Sequence, residues 1–137
     1  VQSVLIYGTE TWAMKADDLR SLERTERMMV RWMCGVSLKD RKRSEDLCNL
    51  LGINCVADVV RRGRLRWFGH LERKSVDDWV FACRRLVVEG TRGRGRSRKT
   101  WEQCVRDDMK LLGLHPEWAV FRDMWRDLIW GKRLTLA

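Results

Sequence analysis

The sequence predicts an all-α fold: an irregular bundle of about six helices with a Gly/Arg-rich flexible loop between the fourth and the fifth. Its 137 residues match the size of one ordinary domain. A single proline and ten glycines are few turn-forming residues for the many tight turns of a β-sandwich or barrel. Apolar residues recur instead at helical spacing, and a hydrophobic content of 45% supplies enough apolar surface to order most of the chain.

The sequence defines the first two elements unequally well. The apolar run at residues 4–7 precedes Gly8 and fits either a short strand or the end of a buried helix. A long helix is predicted to begin at Asp17, because Asp17 and Asp18 suit the positive end of a helix dipole, and to stop at Gly35. Its predicted apolar face consists of Leu19, Leu22, Met29 and Met33.

Two helices are predicted in the basic middle of the chain. Ser44 is the expected cap of a helix of about two turns that ends at Gly52. The next helix is predicted from Val56 to about Arg73, and one stripe of its helical wheel is apolar: Val56, Val60, Trp67 and Leu71. The opposite face carries a cationic ridge made of Arg62, Arg66 and Arg73, with Arg61 and Arg64 on its flanks.

Three further helices complete the predicted fold. The acidic pair at residues 77–78 opens a helix that Gly90 closes, with an apolar face of Trp79, Val80, Cys83, Leu86 and Val87. Thr100 caps the next helix, which Gly113 stops, and its inward residues are expected to be Trp101, Cys104, Val105, Leu111 and Leu112. Pro116 starts the last helix, whose apolar stripe is Trp118, Phe121, Trp125, Leu128 and Ile129.

The positive charge of the chain is concentrated in one segment. The formal net charge is +9. Residues 39–99 hold seventeen basic and eight acidic residues, whereas the two flanks together hold eleven of each. A solvated surface is the simpler alternative, but a basic protein that is merely soluble would spread its charge. The concentration therefore favours a polyanionic partner such as nucleic acid.

Catalytic and metal chemistry find little support in the sequence. It has no glycine-rich phosphate loop, zinc-protease motif or nucleophile elbow, and it has only two histidines. The Asp-Asp pairs at residues 17–18, 77–78 and 107–108 are explained as helix-start or polar-face acids. A zinc site would have to combine Cys48, Cys55 and His70 without the paired ligand spacing that such sites use. We expect no catalytic residue, no metal ion, no cofactor and no enzymatic activity of the chain on its own.

The cysteines and the apolar runs indicate a compartment. The five cysteines are odd in number and irregularly spaced, which favours buried thiols in a reducing, intracellular compartment, either nucleus or cytoplasm. No apolar run is long enough to span a bilayer and no signal-peptide pattern is present, so a membrane is not an expected partner. The sequence begins with Val inside an apolar stretch, and we therefore expect a fragment of a longer protein.

The candidate nucleic-acid-binding residues lie on two surfaces. The cationic ridge and its flank contribute Arg62, Arg64, Arg66 and Arg73. Residues 90–99, called the arm below, alternate Gly or Ser with cations and contain no apolar side chain, so they are predicted to be flexible. The cations of the arm are Arg92, Arg94, Arg96, Arg98 and Lys99, and arginine forks suit phosphate oxygens. Phe68 lies off the apolar stripe and is the candidate for stacking on a base, whereas Trp67 is assigned to the core.

Three blocks of the sequence point to a family. They are residues 5–12 (LIYGTETW), 64–70 (RLRWFGH) and 93–101 (GRGRSRKTW). In identity, order and spacing they resemble the C-terminal region of non-LTR, LINE-type retrotransposon endonuclease-reverse transcriptases. That family often has proline at the position of Ser97. The likeness extends over nearly the whole chain.

The resemblance implies a helical region downstream of the polymerase palm. Residues 1–89 would be thumb-like, residues 90–99 would be the basic arm, and residues 100–137 would be a C-terminal helical pair. Such a region would grip the phosphate backbone of RNA or DNA and contact the polymerase core. The aromatic-x-Asp-Asp motif of the family is missing, since the nearest string, residues 15–18, has Lys where the aromatic residue belongs. Mg²⁺ and the RNA-directed DNA polymerase activity would belong to the missing palm.

Two functions are therefore expected from the sequence. The leading one is a nucleic-acid-binding fragment of a retrotransposon reverse transcriptase, with no small-molecule substrate. The alternative is a degenerate, retroelement-derived helical fragment with no activity of its own.

Overall fold

The computed structural model describes residues 2–86, 90, 95 and 99–131 of the chain. It confirms the predicted all-α class, because the described residues form helices and contain no strand. The α-helices are α1 (Gln2–Leu5), α2 (Ala16–Met33), α3 (Ser44–Leu51), α4 (Val56–Glu72), α5 (Trp79–Arg85), α6 (Trp101–Leu112) and α7 (Arg122–Ile129). Short 3-10 helices at Leu38–Asp40 and Pro116–Val120 precede α3 and α7. The chain divides into two compact units, unit 1 (Val1–Gly63) and unit 2 (Arg64–Ala137), and α4 runs across their boundary.

Helix α1 settles the choice that the sequence left open for the first residues. Residues 2–5 are helical, and a turn follows in which the Thr9 hydroxyl donates to the Ile6 carbonyl at 2.8 Å. Val4 and Tyr7 are exposed, so this helix does not insert its apolar run into the core. Thr9, which is polar, is the buried residue of the turn.

Helix α2 confirms the predicted first long helix, but its buried face is different. The Asp18 carboxylate accepts a hydrogen bond from the Lys15 N–H at 3.2 Å, which closes the first turn. The buried residues are Glu26 and Val30, where α2 packs on α3. Leu19, Leu22 and Met29 are half-buried. Met33 was predicted to be on the apolar face but is exposed, because it is the last residue of the helix and lies beyond that packed turn.

Unit 1 has a small core that includes a charged side chain. Its buried apolar residues are Val30, Leu47, Val56 and Val60. The Val56 N–H donates to the Glu26 carboxylate at 2.9 Å, so a buried acid from α2 caps the first turn of α4. In α3, Arg43 and not Ser44 is the N-cap residue, and Gly52 ends the helix with a left-handed φ of 63° as predicted.

Unit 2 has a larger core, which the second half of α4 shares with later elements. The buried residues are Leu65, Phe68, Val105, Met109, Leu114, Ala119, Trp125 and Ile129. The Trp125 indole N–H donates to the Leu65 carbonyl at 2.9 Å. A Cβ atom on Gly69 would lie 2.5 Å from the Trp125 ring, so only glycine permits this close approach.

The predictions for the last three helices are partly corrected. Helix α5 is only seven residues long and ends at Arg85; it leaves Trp79, Cys83 and Leu86 exposed, and Val87 lies outside the described residues. Thr100 and Gly113 delimit α6 as predicted. Leu111 and Leu112 are exposed, although Met109 before them and Leu114 after them belong to the core. At 100° per residue, Leu111 lies on a face of α6 away from Val105 and Met109.

The last predicted helix consists of two pieces. Pro116 opens a 3-10 helix, and α7 begins only at Arg122. Phe121 stands at the break between them and is exposed, whereas Trp125 and Ile129 of the same predicted stripe are buried. Trp118, in the 3-10 helix, also packs against the core, so the predicted stripe is wrong only at Phe121.

The arm falls largely outside the described residues, which include Gly90, Gly95 and Lys99 of it. The predicted divisions at residues 90 and 100 stay predictions. In unit 2, residues from both sides of the arm enter one core, as Phe68 and Val105 illustrate. The arm is therefore an insertion within a packed unit rather than a linker between two units.

Candidate nucleic-acid interface

The cationic ridge of α4 is only partly available to a ligand. Arg66 is exposed, and no described residue forms an ion pair with it. Arg62 is half-buried. Arg73 is exposed, and one of its guanidinium nitrogens donates to the Ala119 carbonyl at 2.6 Å. This bond fixes the arginine beside the 3-10 helix and leaves its other donors for an anion.

Arg64 was predicted as a phosphate contact but is part of the interior of unit 2. It is 8% exposed, and its Nε donates to the Asp108 carboxylate at 2.7 Å. Two buried opposite charges at this distance satisfy each other, and separating them would leave a charge without its partner in a low-dielectric environment. The pairing also explains why α6 has an acidic residue at position 108, where the side chain is largely buried.

Phe68 was predicted to lie off the core and to stack on a base, and that placement is wrong. It is 5% exposed, and its ring centroid lies 6.0 Å from that of Trp125 and 6.5 Å from that of Trp101. The two halves of α4 bury different faces, because Val56 and Val60 face the core of unit 1 whereas Leu65 and Phe68 face the core of unit 2. A single stripe drawn along the whole helix therefore misassigned Phe68.

Trp67 is the aromatic residue of this segment that reaches solvent. It is half-buried, and its ring stacks on the exposed His70 with centroids 5.3 Å apart and an interplanar angle of 29°. The stacked pair offers an aromatic surface that is exposed to solvent at His70. Such a surface is suited to contact with a nucleic-acid base.

Lys99 is the last cation of the arm and forms an exposed ion pair with Asp107. This contact raises the pKa of Lys99 and lowers the pKa of Asp107, in both cases chiefly through the side-chain hydrogen bond between them. Exposed pairs contribute little stability, so a phosphate can compete for the lysine. The other predicted cations of the arm, Arg92, Arg94, Arg96 and Arg98, lie outside the described residues.

Arg84 forms ion pairs with two acids that are distant in the sequence, and the sequence analysis missed it. Its guanidinium pairs with Glu72 and, at 3.4 Å from Nε to oxygen, with Glu102. The same group lies 5.5 Å from the centroid of the Phe68 ring. Arg84 precedes the arm in the sequence and Glu102 follows it, so this side chain links α5 to α6. The sequence contains no local signal for it, because the partners are 12 and 18 residues away.

The cysteines are free thiols in varied environments. Cys104 is buried and Cys34 and Cys48 are half-buried, but Cys55 and Cys83 are exposed, which corrects the expectation of buried thiols for these two. Burial raises the pKa of Cys48, and the nearby Glu26 raises it further. In the described part of the chain, no three His, Cys, Asp or Glu residues are arranged to hold a metal ion.

Comparisons with protein-family models, with curated proteins and with solved structures give no match for this chain. The likeness to LINE-type reverse transcriptases thus rests on the three sequence blocks and stays a prediction. Within the described ranges, no helix has the length and apolar character needed to cross a membrane.

Proposed function

We propose that this chain is a nucleic-acid-binding helical segment of a LINE-type retrotransposon reverse transcriptase, separate from the catalytic palm. The observation that carries the proposal is the confinement of the net charge to residues 39–99. Unit 2 has seventeen basic and ten acidic residues, a net charge of +7. Unit 1 has eleven basic and nine acidic residues, a net charge of +2. A well-packed unit with this charge is a suitable platform for a polyanion.

The described cations of unit 2 include some that are paired with acids and others that are exposed to solvent. Arg64 and Arg84 are engaged with acids and stabilise the fold around the arm. Arg66 and Arg73 are exposed on α4 and directly after it. The arm adds four arginines, which lie in the sequence between the paired residues Arg84 and Glu102. We infer that the arm and the exposed arginines bind the same strand.

The expected binding is electrostatic and weakly specific. Arginine contacts to phosphate oxygens fix affinity and register but do not read bases. If about five to eight phosphates are neutralised, the slope of log K against log salt concentration should be roughly −4 to −7. Trp67 and His70 would add sequence-tolerant stacking on a base.

The test replaces Arg92, Arg94, Arg96 and Arg98 by Gln and measures binding to a 20-nucleotide oligouridine RNA and a 20-base-pair DNA duplex by fluorescence anisotropy. A matched control replaces the exposed Arg106, Lys110, Arg122 and Arg126 of α6 and α7 by Gln, which removes the same charge. We expect the arm variant to lose most of its binding and most of the salt slope, and the control to lose much less. Equal losses in the two variants would show that the arm contributes to binding only through the net charge.

The second candidate, a degenerate fragment with no activity, predicts no salt-dependent binding by the wild-type chain. The specific observation in its favour is the exposure of large apolar side chains, which are expected where a polymerase core once packed: Trp32 is 84% exposed and Trp79 is 75% exposed. Binding by the wild type that falls with salt excludes this candidate. Under either candidate we expect no Mg²⁺-dependent nucleotide incorporation by the purified chain.

A further inference from the structure

Unit 1 carries a second basic surface, which the sequence analysis did not single out. The connection between α2 and α3 contains Lys39, Arg41, Lys42 and Arg43, four cations within five positions. All residues from 37 to 43 are exposed. We call residues 37–43 the basic turn.

The backbone of the basic turn is held in place by α2. One guanidinium nitrogen of Arg31 donates to the Lys42 carbonyl at 2.8 Å, and the other donates to the Ser37 carbonyl at 3.5 Å. A single side chain therefore fastens both ends of the turn. The cations project from a fixed loop, which reduces the ordering cost of binding an anion.

Arg41 has a backbone conformation that few side chains adopt without a local reason. Its φ is 49° and its ψ is 27°, in the left-handed region, and it is the non-glycine residue with positive φ among those described. Non-glycine residues in this region cost free energy and tend to occur at functional sites. Here the conformation ends the 3-10 helix, and the Arg41 N–H donates to the Leu38 carbonyl at 3.3 Å.

Three acids lie in or beside the basic turn. The Asp40 carboxylate accepts the Ser37 N–H at 2.7 Å and the Ser37 hydroxyl at 2.8 Å. These bonds, chiefly that of the hydroxyl, lower the pKa of Asp40. Glu45 and Asp46 lie in the first turn of α3, where they complement the helix dipole. These acids limit the positive surface on the α3 side.

The basic surface continues along α2. Arg20, Arg24, Arg27 and Arg31 follow one another at intervals of four, three and four residues, which places them within about 60° of one another on the helix. Arg20 pairs with Asp17 and Arg27 with Glu23, both at exposed positions where ion pairs are weak. Arg31, at the end of this row, is the residue that fastens the basic turn.

We propose that the basic turn is a second phosphate-binding site for the RNA or DNA backbone, built into unit 1 and separate from the arm. The inference rests on the proposed function, because it assigns the same ligand class to another surface. We favour a nucleic acid over an acidic protein as the ligand, because an acidic groove on a protein would bind an extended basic peptide. The turn is folded, and Arg31 holds it in that shape.

The test is a turn variant, Lys39→Gln, Arg41→Asn, Lys42→Gln and Arg43→Gln, in the full chain. Asn is chosen at position 41 because it tolerates the left-handed conformation, so the charge is removed while the turn is kept. Circular dichroism and thermal unfolding verify the fold. We expect affinity for the oligouridine RNA to fall ~10-fold or more at low salt, and the salt slope to become less steep by about 2 to 3.

Three comparisons decide the outcome. Wild-type affinity in the turn variant, together with loss of binding in the arm variant, overturns this inference and leaves the proposed function intact. No binding by the wild type overturns both. If the turn variant loses affinity for polyglutamate but keeps its affinity for RNA, the turn is a protein-binding surface and the inference is overturned.

A second variant, which removes negative instead of positive charges, tests the inference if the turn variant fails to fold. Replacing Glu45 by Gln and Asp46 by Asn removes the acids beside the turn and leaves its cations untouched. RNA affinity should then rise severalfold if phosphate binds there. An unchanged or lower affinity counts against the inference.

Discussion

The two units of the chain are stabilised in different ways, although one helix runs through both. In unit 2, eight buried residues pack together and Trp125 donates to the backbone of α4. In unit 1, the described core consists of a few aliphatic side chains. The buried Glu26 lies beside them, and its carboxylate caps the first turn of α4. The comparison shows that the unit with the larger net charge also has the larger described core.

The largest expected difference between the units concerns their cores. Trp125→Ala removes a side chain that is 2% exposed and should lower the free energy of unfolding of unit 2 by about 3 to 5 kcal/mol. Leu47→Ala in unit 1 should cost about 2 to 3 kcal/mol, because fewer neighbours surround it. Urea unfolding followed by circular dichroism measures both. Trp130→Ala, at an exposed position, is the control, and equal losses at residues 47 and 125 would contradict the comparison.

The second difference concerns the buried charge of each unit. Arg64→Ala should destabilise unit 2 by about 3 kcal/mol, because Asp108 would lose its partner. The double variant Arg64→Met and Asp108→Leu should be less destabilising than the single one. In unit 1, Glu26→Ala leaves the Val56 N–H without its acceptor and should cost about 1 to 2 kcal/mol. Thermal unfolding of the four proteins measures these effects, and a double variant as unstable as Arg64→Ala would refute the role of the pair.

The third difference can be measured within α4. Gly69→Ala would place a Cβ 2.5 Å from the Trp125 ring and should destabilise by about 1 to 3 kcal/mol. At Gly63, six residues earlier and in unit 1, the nearest atom would be the Glu10 Cγ at 3.7 Å, an ordinary contact. Gly63→Ala should therefore stabilise by up to about 1 kcal/mol through helix propensity. Effects of the same sign at both positions would show that packing against Trp125 does not distinguish them.

The smallest expected effect is a dependence on pH that the units share. Hydrogen bonds from Ser37 lower the pKa of Asp40 in unit 1, and a hydrogen bond from Lys74 lowers the pKa of Asp78 in unit 2. Because both folded pKa values lie below the unfolded value of about 3.9, the stabilisation is present above that pH and is lost as the pH falls through the lowered values. NMR titration of the carboxyl carbons measures this. Asp40→Asn and Asp78→Asn should each flatten the acid limb of stability for their own unit, and unshifted titrations would contradict the expectation.

Local chemistry predicted much of the secondary structure. Thr100, Gly113 and Gly52 delimit their helices as expected, because caps depend on neighbouring backbone groups. Pro116 likewise begins a helical turn. The predicted cap at Ser44 was wrong by one residue, since Arg43 occupies the cap position without a side-chain bond.

Long-range packing determined which residues were misassigned. Phe68 is buried because it packs beside Trp101 and Trp125 in the core of unit 2, and a stripe drawn from Val56 onward does not include this face of the helix. Arg64 is buried because Asp108, 44 residues later, neutralises it. Arg66 and Arg73 are exposed as predicted, since no distant acid claims them among the described residues.

The hydrogen bond between Trp125 and Leu65 has a consequence for synthesis on the ribosome. Its two partners are 60 residues apart in the chain. The residues of unit 1 are all translated before residue 64, so unit 1 can begin to pack while the ribosome is still adding the arm. The core of unit 2 stays incomplete until Trp125 and Ile129 have emerged. During that interval Leu65 and Phe68 are already outside the ribosome without their partners, so the nascent chain is most prone to aggregation until α7 has emerged.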